Sequence, residues 1–110
     1  MFTNQGQSCI ASSLVYVHES VYESFIDKMK QIAESKIVGD QFQAANTSGA
    51  ITKPQQFKKV LEYIDIGIKE GARLVSGGKR VGNVGHFVQP TIFADCQDNM
   101  KIVKEEVMSK

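Results

Sequence analysis

The sequence predicts an α/β fold in which short strands are covered by two main amphipathic helices. Three observations carry this expectation. Two stretches place apolar residues at helical spacing. Several short runs of β-branched and aromatic residues lie before and after them. Glycines and prolines punctuate the boundaries between the two kinds of segment. A chain of 110 residues is expected to form one domain, and its 42% hydrophobic and 23% charged residues suit a packed soluble chain rather than a disordered one.

Leu14, Val15, Tyr16 and Val17 form the first strand-like run. Ser20 then opens a helix, and Ser20 with Glu23 has the spacing of a capping box, in which each side chain satisfies a backbone N–H of the other. Val21, Tyr22, Phe25, Ile26, Met29, Ile32 and Ala33 make one apolar stripe, and Gly39 ends the segment. Residues 40–49 are polar and small, which predicts a loop. A second helix begins near Thr52. Thr52 is its expected cap, Pro54 suits its first turn, and Gln55 stands three residues after the cap. Phe57, Val60, Leu61, Ile64 and Ile68 form its apolar face, and Gly71 is its terminator.

Arg73, Leu74, Val75 and Ser76 predict another short strand. Gly77, Gly78, Gly82 and Gly85 mark a turn or loop. Residues 87–89 and 91–93 predict a further strand. Pro90 interrupts it, and a proline cannot donate to a ladder, so the strand lies at an edge or bends there. A short helix is expected to begin at Met100. Both ends of the sequence look cut rather than closed, and two helices with a few short strands bury little surface at this size, so some apolar faces are expected to lack partners.

Charge narrows the function classes. Thirteen basic and twelve acidic residues leave a net charge of +1, which argues against general attraction to nucleic acid or to a membrane surface. The N-terminal residues have neither the basic start nor the apolar core of a signal peptide, and no apolar run approaches a membrane span. The two cysteines, Cys9 and Cys96, form no C-x-x-C pair and are too few for a small secreted fold, so a reducing, cytoplasmic setting is expected. His18 and His86 stand far apart without ligand partners, and no metal site is predicted. The glycines of residues 77–85 match neither the dinucleotide nor the P-loop pattern, and Cys96 beside Asp95 reads as structural.

Cys9 is the candidate for chemistry. It follows Gly6, Gln7 and Ser8 and precedes Ile10, Ala11, Ser12 and Ser13. Read by its context alone, it is either a small buried packing residue or a nucleophile. In the second case the small residues after it would start a short helix, whose positive end favours thiolate, and nearby backbone N–H groups would stabilise an oxyanion.

The run Phe2, Thr3, Asn4, Gln5, Gly6, Gln7, Ser8, Cys9, Ile10, Ala11, Ser12, Ser13 resembles the cysteine active-site signature of the aldehyde dehydrogenases. Residues 17–25, 67–72, 77–78, 87–93 and 100–106 resemble later segments of that family in order and spacing, so the resemblance covers nearly the whole chain. It implies part of a three-layer catalytic domain, residues 1–110, running from the cysteine signature to the cofactor-ribose glutamate and truncated at both ends. The cofactor domain and the oligomerisation segment would be absent.

The implied chemistry is NAD- or NADP-dependent oxidation of a small aldehyde to a carboxylate through a cysteine thiohemiacetal and thioester. Cys9 matches the nucleophile, Gln56 and Lys59 match positions that often contact the adenosine ribose, and Glu106 matches the glutamate that holds the nicotinamide ribose. By helical spacing alone, Gln56 and Lys59 read as a solvated polar face, and Glu106 as part of a charged run.

Departures accompany the match. The family usually continues after the paired glutamates with an aromatic residue, glycine and proline, where this chain has Met108, Ser109 and Lys110. Leu14 stands where many members have arginine. The general-base glutamate, the oxyanion-hole asparagine and most of the Rossmann-like cofactor domain lie upstream of the cysteine in that family. Two readings follow: an enzyme fragment inactive alone, or a non-catalytic product that docks onto a full-length aldehyde dehydrogenase subunit.

Overall fold

A computed structural model describes residues 2–107. Helix α1 (Tyr22–Glu34) and helix α2 (Pro54–Lys69) precede strand β1 (Arg73–Ser76), strand β2 (Ile92–Ala94) and the single-turn helix α3 (Lys101–Lys104). The α/β expectation holds. Among the described residues the sheet has two strands, β1 and β2, which pair antiparallel as Arg73 with Ala94, Leu74 with Phe93 and Ser76 with Ile92, with a bulge after Leu74. The core comprises Ile26 and Ala33 of α1, Phe57, Tyr63 and Ile64 of α2, Ile92 and Ala94 of β2, and Ile51, Ala72 and Met100 from the connections.

Helix α1 packs on the sheet with Ile26 and Ala33 of its stripe buried, while Ile32 and Val21, which precedes the helix, stay exposed, and a polar tether fixes its angle. The Tyr22 hydroxyl donates to Asp95 at 2.7 Å and accepts from the Asp95 backbone N–H at 2.9 Å. Arg73 of β1 meets the other Asp95 oxygen at 2.6 Å, and its guanidinium also lies 3.6 Å from Glu23. The Arg73 guanidinium, then the Tyr22 hydroxyl, holds the Asp95 carboxyl below its usual range.

Several local expectations give way to tertiary contacts. No capping box forms at Ser20. A 3-10 turn, Glu19–Val21, precedes α1, the His18 ring accepts the Ser20 N–H at 3.2 Å, and Glu23 turns to Arg73 instead. Helix α1 stops at Glu34 rather than Gly39, because the chain peels away to bond across the following loop: the Ile37 carbonyl accepts the N–H groups of Thr47 and Ser48, and Gly39 N–H donates to Ser48. Thr52 does not cap α2. Lys53 occupies the cap position without a side-chain bond, and Thr52 is turned elsewhere. Residues 14–17 form no strand, since a strand is defined by a ladder and no described segment pairs with them. Their exposure fits the expectation of apolar faces without partners: Leu14, Val15 and Tyr16 are exposed, as is Ile10.

Pro54 sits in the first turn of α2 as predicted. Gly71 ends that helix in a Schellman arrangement: at φ 88° it donates to Ile68 while Ala72 N–H reaches back to Gly67. Between β1 and β2, residues 79–89 make a narrow hairpin around the glycines, with Val81 N–H on Phe87 and Gln89 N–H on Lys79. Val88 thus forms a single bridge with Arg80, and Pro90 separates it from β2, so the predicted strand is split where proline stands. Gly77 allows this return. At φ 76°, a Cβ there would lie 2.2 Å from the Pro90 carbonyl oxygen.

Gly71 and Gly77 both have left-handed backbone, but an added Cβ at Gly71 meets nothing within 4 Å. Gly71→Ala is therefore expected to cost roughly 1 kcal/mol of backbone strain, while Gly77→Ala costs distinctly more. Thermal melts of the two variants by circular dichroism check this, and equal losses would contradict it. The depressed Asp95 pKa makes a second prediction. Its stabilisation is complete above the ordinary carboxylate value of about 4 and is lost as pH falls through the lower folded value. Asp95→Asn should therefore be less stable than the parent near neutral pH and approach it under acid, as read from urea midpoints across that range.

Candidate active site

Cys9 lies on an exposed turn. Ala11 N–H closes that turn on the Ser8 carbonyl at 3.1 Å, and no helix follows. Both halves of the context reading are thus corrected: the residue is not buried in the core, and it has no helix dipole beneath it. Ile10, Ser12 and Ser13 are likewise exposed.

The segment before Cys9 is more constrained. Residues Thr3–Gly6 form a 3-10 turn in which Asn4 (φ 52°, ψ 38°) and Gln5 (φ 56°, ψ 33°) adopt left-handed backbone, and Gly6 follows at φ 72°. Consecutive non-glycine residues rarely hold this conformation. Here Gln7 N–H and the Asn4 side-chain amide bond across the turn at 3.0 and 3.1 Å. Gln7 Oε1 then accepts from both the backbone N–H of Thr52 at 2.9 Å and its hydroxyl at 2.6 Å. The Gln5 amide satisfies both ends when its oxygen accepts from Gly49 N–H at 2.9 Å and its nitrogen donates to Asn4. A shallow cavity of about 470 Å³ opens here, bordered by Gln5, Gly49, Thr52 and His86. His86 is half-buried with its ring 5.2 Å from that of Phe57.

The other candidates gather along α2. Gln56 donates to the Val107 carbonyl at 3.2 Å, which places the segment bearing Glu106 against the first turns of that helix. Lys59 lies with its ammonium 5.7 Å from the Tyr63 ring, and Lys101 lies 5.3 Å from the same ring. The Tyr63 hydroxyl donates to Glu105, and this bond, followed by burial, raises the phenol pKa. Gln56 and Lys59 are half-buried rather than fully solvated, Gln56 against Val107 and Lys59 beside the Tyr63 ring. Glu106 is exposed. The differences from the family pattern at Met108, Ser109 and Lys110 lie outside the described residues.

Gln56, Lys59 and Glu106 therefore share one neighbourhood, 51 residues of chain being closed between Gln56 and Val107. The segment before Cys9 is tied to the approach to the same helix, through Gln7 and Thr52. Sequence reasoning missed Thr52 in this role, since its position before Pro54 pointed to a helix cap. It also missed Tyr63, whose only sequence signal is a polar-tipped aromatic on the apolar face. Cys96 is exposed as a residue. Its thiol is partly covered, and that burial, followed by the Asp95 charge, raises its pKa, which disfavours thiolate there. Among the described residues no group of three or more His, Cys, Asp or Glu side chains could hold a metal ion, and no helix is long and apolar enough to cross a membrane.

Comparison with known proteins assigns this arrangement to a family. The family model described as the aldehyde dehydrogenase family matches residues 1–109. The chain is 46% identical over 107 residues to a mitochondrial aldehyde dehydrogenase of Leishmania tarentolae, covering 97% of this chain and 22% of that protein. It is 45% identical to a mitochondrial benzaldehyde dehydrogenase of Antirrhinum majus, covering 97% of this chain and 20% of that one. The structure of a Bacillus cereus aldehyde dehydrogenase in complex with NAD+ superposes with a TM-score of 0.92 at 40% identity, over 96% of this chain and 22% of that chain. The chain thus spans about a fifth of the length of the relatives it matches. With both sequence and fold matched along nearly its whole length, the chain belongs to the aldehyde dehydrogenase family.

Proposed function

We propose that Cys9 is the nucleophile of an aldehyde dehydrogenase site of which residues 1–110 supply only a part, a partial catalytic domain that does not complete the reaction alone. The observation that supports this most is the placing of Cys9. It is exposed on a turn whose preceding residues carry the family signature and are tied to α2. In this reading the Cys9 thiolate adds its electron pair to the aldehyde carbon, a C–S bond forms, and the carbonyl π pair moves onto oxygen. The Cys9 backbone N–H is one donor to that oxyanion. NAD or NADP, when bound, supplies the hydride acceptor that takes the adduct to a thioester on Cys9. Water then cleaves the C–S bond, releasing the carboxylate and returning the thiol.

The candidate cofactor residues suit a ribose. A sugar diol both donates and accepts, and an amide, an ammonium and a carboxylate offer it both complements. Glu106 would accept from the nicotinamide ribose hydroxyls, while Gln56 and Lys59 would donate to the adenosine ribose. One Gln56 N–H is already given to Val107, which would leave the second for the sugar. The glutamate base that activates water in the family has no counterpart in this reading of residues 1–110, and catalytic groups that act as a unit lose nearly all rate when one is missing. A reducing, cytoplasmic setting belongs to the same proposal, on the ground that the sequence has two cysteines and no C-x-x-C pair.

Two measurements test it. The purified chain with propanal and NAD or NADP is expected to give no aldehyde-dependent NADH or NADPH; robust turnover would overturn the incomplete-site reading. Exchanging residues 1–107 for the corresponding segment of the Bacillus cereus relative should give an active chimera. Cys9→Ser should then cut its kcat on the order of a thousand-fold or more, and an unaffected rate would remove Cys9 from the role.

A second reading is favoured by the exposed Ile10, Leu14, Val15 and Tyr16. The chain would act without catalysis by docking these residues onto a full-length aldehyde dehydrogenase subunit. Co-purification with a tagged full-length relative is expected on this reading. A stable monodisperse monomer that never binds it would count against docking.

A further inference from the structure

We infer that Gln7 and Thr52 are positioning residues for Cys9, forming a clamp that sets where the thiol stands relative to the start of α2. The inference rests on the proposed nucleophile role of Cys9 and deepens it. It starts from the strain before the cysteine. Asn4 and Gln5 both hold left-handed backbone, each at a cost of about 1 kcal/mol or more, so the turn persists only if its surroundings hold it. The bonds between Asn4 and Gln7 close the turn on itself but do not fasten it to the molecule.

The fastening is made at Gln7 Oε1. Both of its lone pairs are used by one residue 45 positions away, the Thr52 N–H at 2.9 Å and the Thr52 hydroxyl at 2.6 Å. Gln5 and Gly49 N–H add a second tie to the same strip of chain. Cys9 is two residues beyond Gln7, and the turn closed between Ser8 and Ala11 leaves little slack between them. Thr52 is exposed and lies just before α2, so its hydroxyl can be changed without opening the core. What binds on α2 and what reacts at Cys9 are thereby held in one frame, although Thr52 touches neither.

The test is the rate at which iodoacetamide alkylates Cys9 in the 110-residue chain. Cys96 in the same molecule is the internal reference, and the two are resolved by peptide mass spectrometry. Thr52→Val keeps the side-chain shape and the backbone N–H but removes the hydroxyl. It should raise the Cys9 rate relative to Cys96 by up to about five-fold, because the released turn opens more often and one neutral hydrogen bond of about 1 kcal/mol sets that limit. Thr52→Ser, which retains the hydroxyl, should restore the parent ratio. Gln7→Ala should raise it at least as far, and adding Thr52→Val to that variant should raise it no further, since both act through one contact.

A parent-like ratio in Thr52→Val, failure of Thr52→Ser to restore it, or independent effects in the double variant would overturn the clamp. So would parallel changes at both cysteines, which would mean general loosening. The assay uses neither aldehyde nor cofactor. If Cys9→Ser left the chimera active, the nucleophile assignment would fall while the alkylation ratio stayed as measured.

Discussion

At Gly67 the backbone of α2 lies so near Phe93 of β2 and Ile102 of α3 that an added Cβ would meet both at 3.0 Å. This close approach lets one helix serve as a wall for segments far apart in sequence. Phe57, Tyr63 and Ile64 on the same face are buried. Beyond the helix end, the Glu70 carboxylate accepts the Lys101 backbone N–H at 2.9 and 3.0 Å and so starts α3. The residues after α3 then run back along the helix to Gln56. Push α2 outward, and the sheet, α3 and the stretch bearing Glu106 lose their common support.

The second consequence of α2 lies at its other end. The strained turn before Cys9 is held by Gly49 and Thr52, which belong to the approach to that helix. The candidate nucleophile and the candidate ribose contacts therefore reach the same element by different routes. Neither route passes through the β sheet, whose role is to seat α1 by way of Tyr22, Asp95 and Arg73. Exposed ion pairs of this kind add at most about 1 kcal/mol each, so the tether orients α1 more than it stabilises it.

The chain matches its relatives over about a fifth of their length, and its surface is consistent with that share. Among the described residues no large side chain is fully buried, and Ile10, Tyr16, Phe42 and Val84 are each more than four-fifths exposed. A fold with few layers cannot cover both faces of every element. The run from Leu14 to Val17 shows the effect most plainly. It has strand composition, yet among the described residues it has no neighbour to pair with.

The sequence by itself determined the α/β class, the apolar stripes of α1 and α2, the arrest of α2 at Gly71, the break at Pro90 and the signature around Cys9. These are properties of local spacing, of a residue's own backbone limits, or of a long motif, and none needs a distant partner. Tertiary structure alone decided the rest. It moved Thr52 from helix cap to clamp, because Gln7 offers an acceptor that uses both its N–H and its hydroxyl. It turned Glu23 from capping box to Arg73, and it set Gln56 against a segment some fifty residues further along. It also left Cys9 on an open turn, where local composition had suggested a helix start or a packed core. A polar side chain bonds to whichever group the fold brings within reach, and spacing along the chain carries no record of that group.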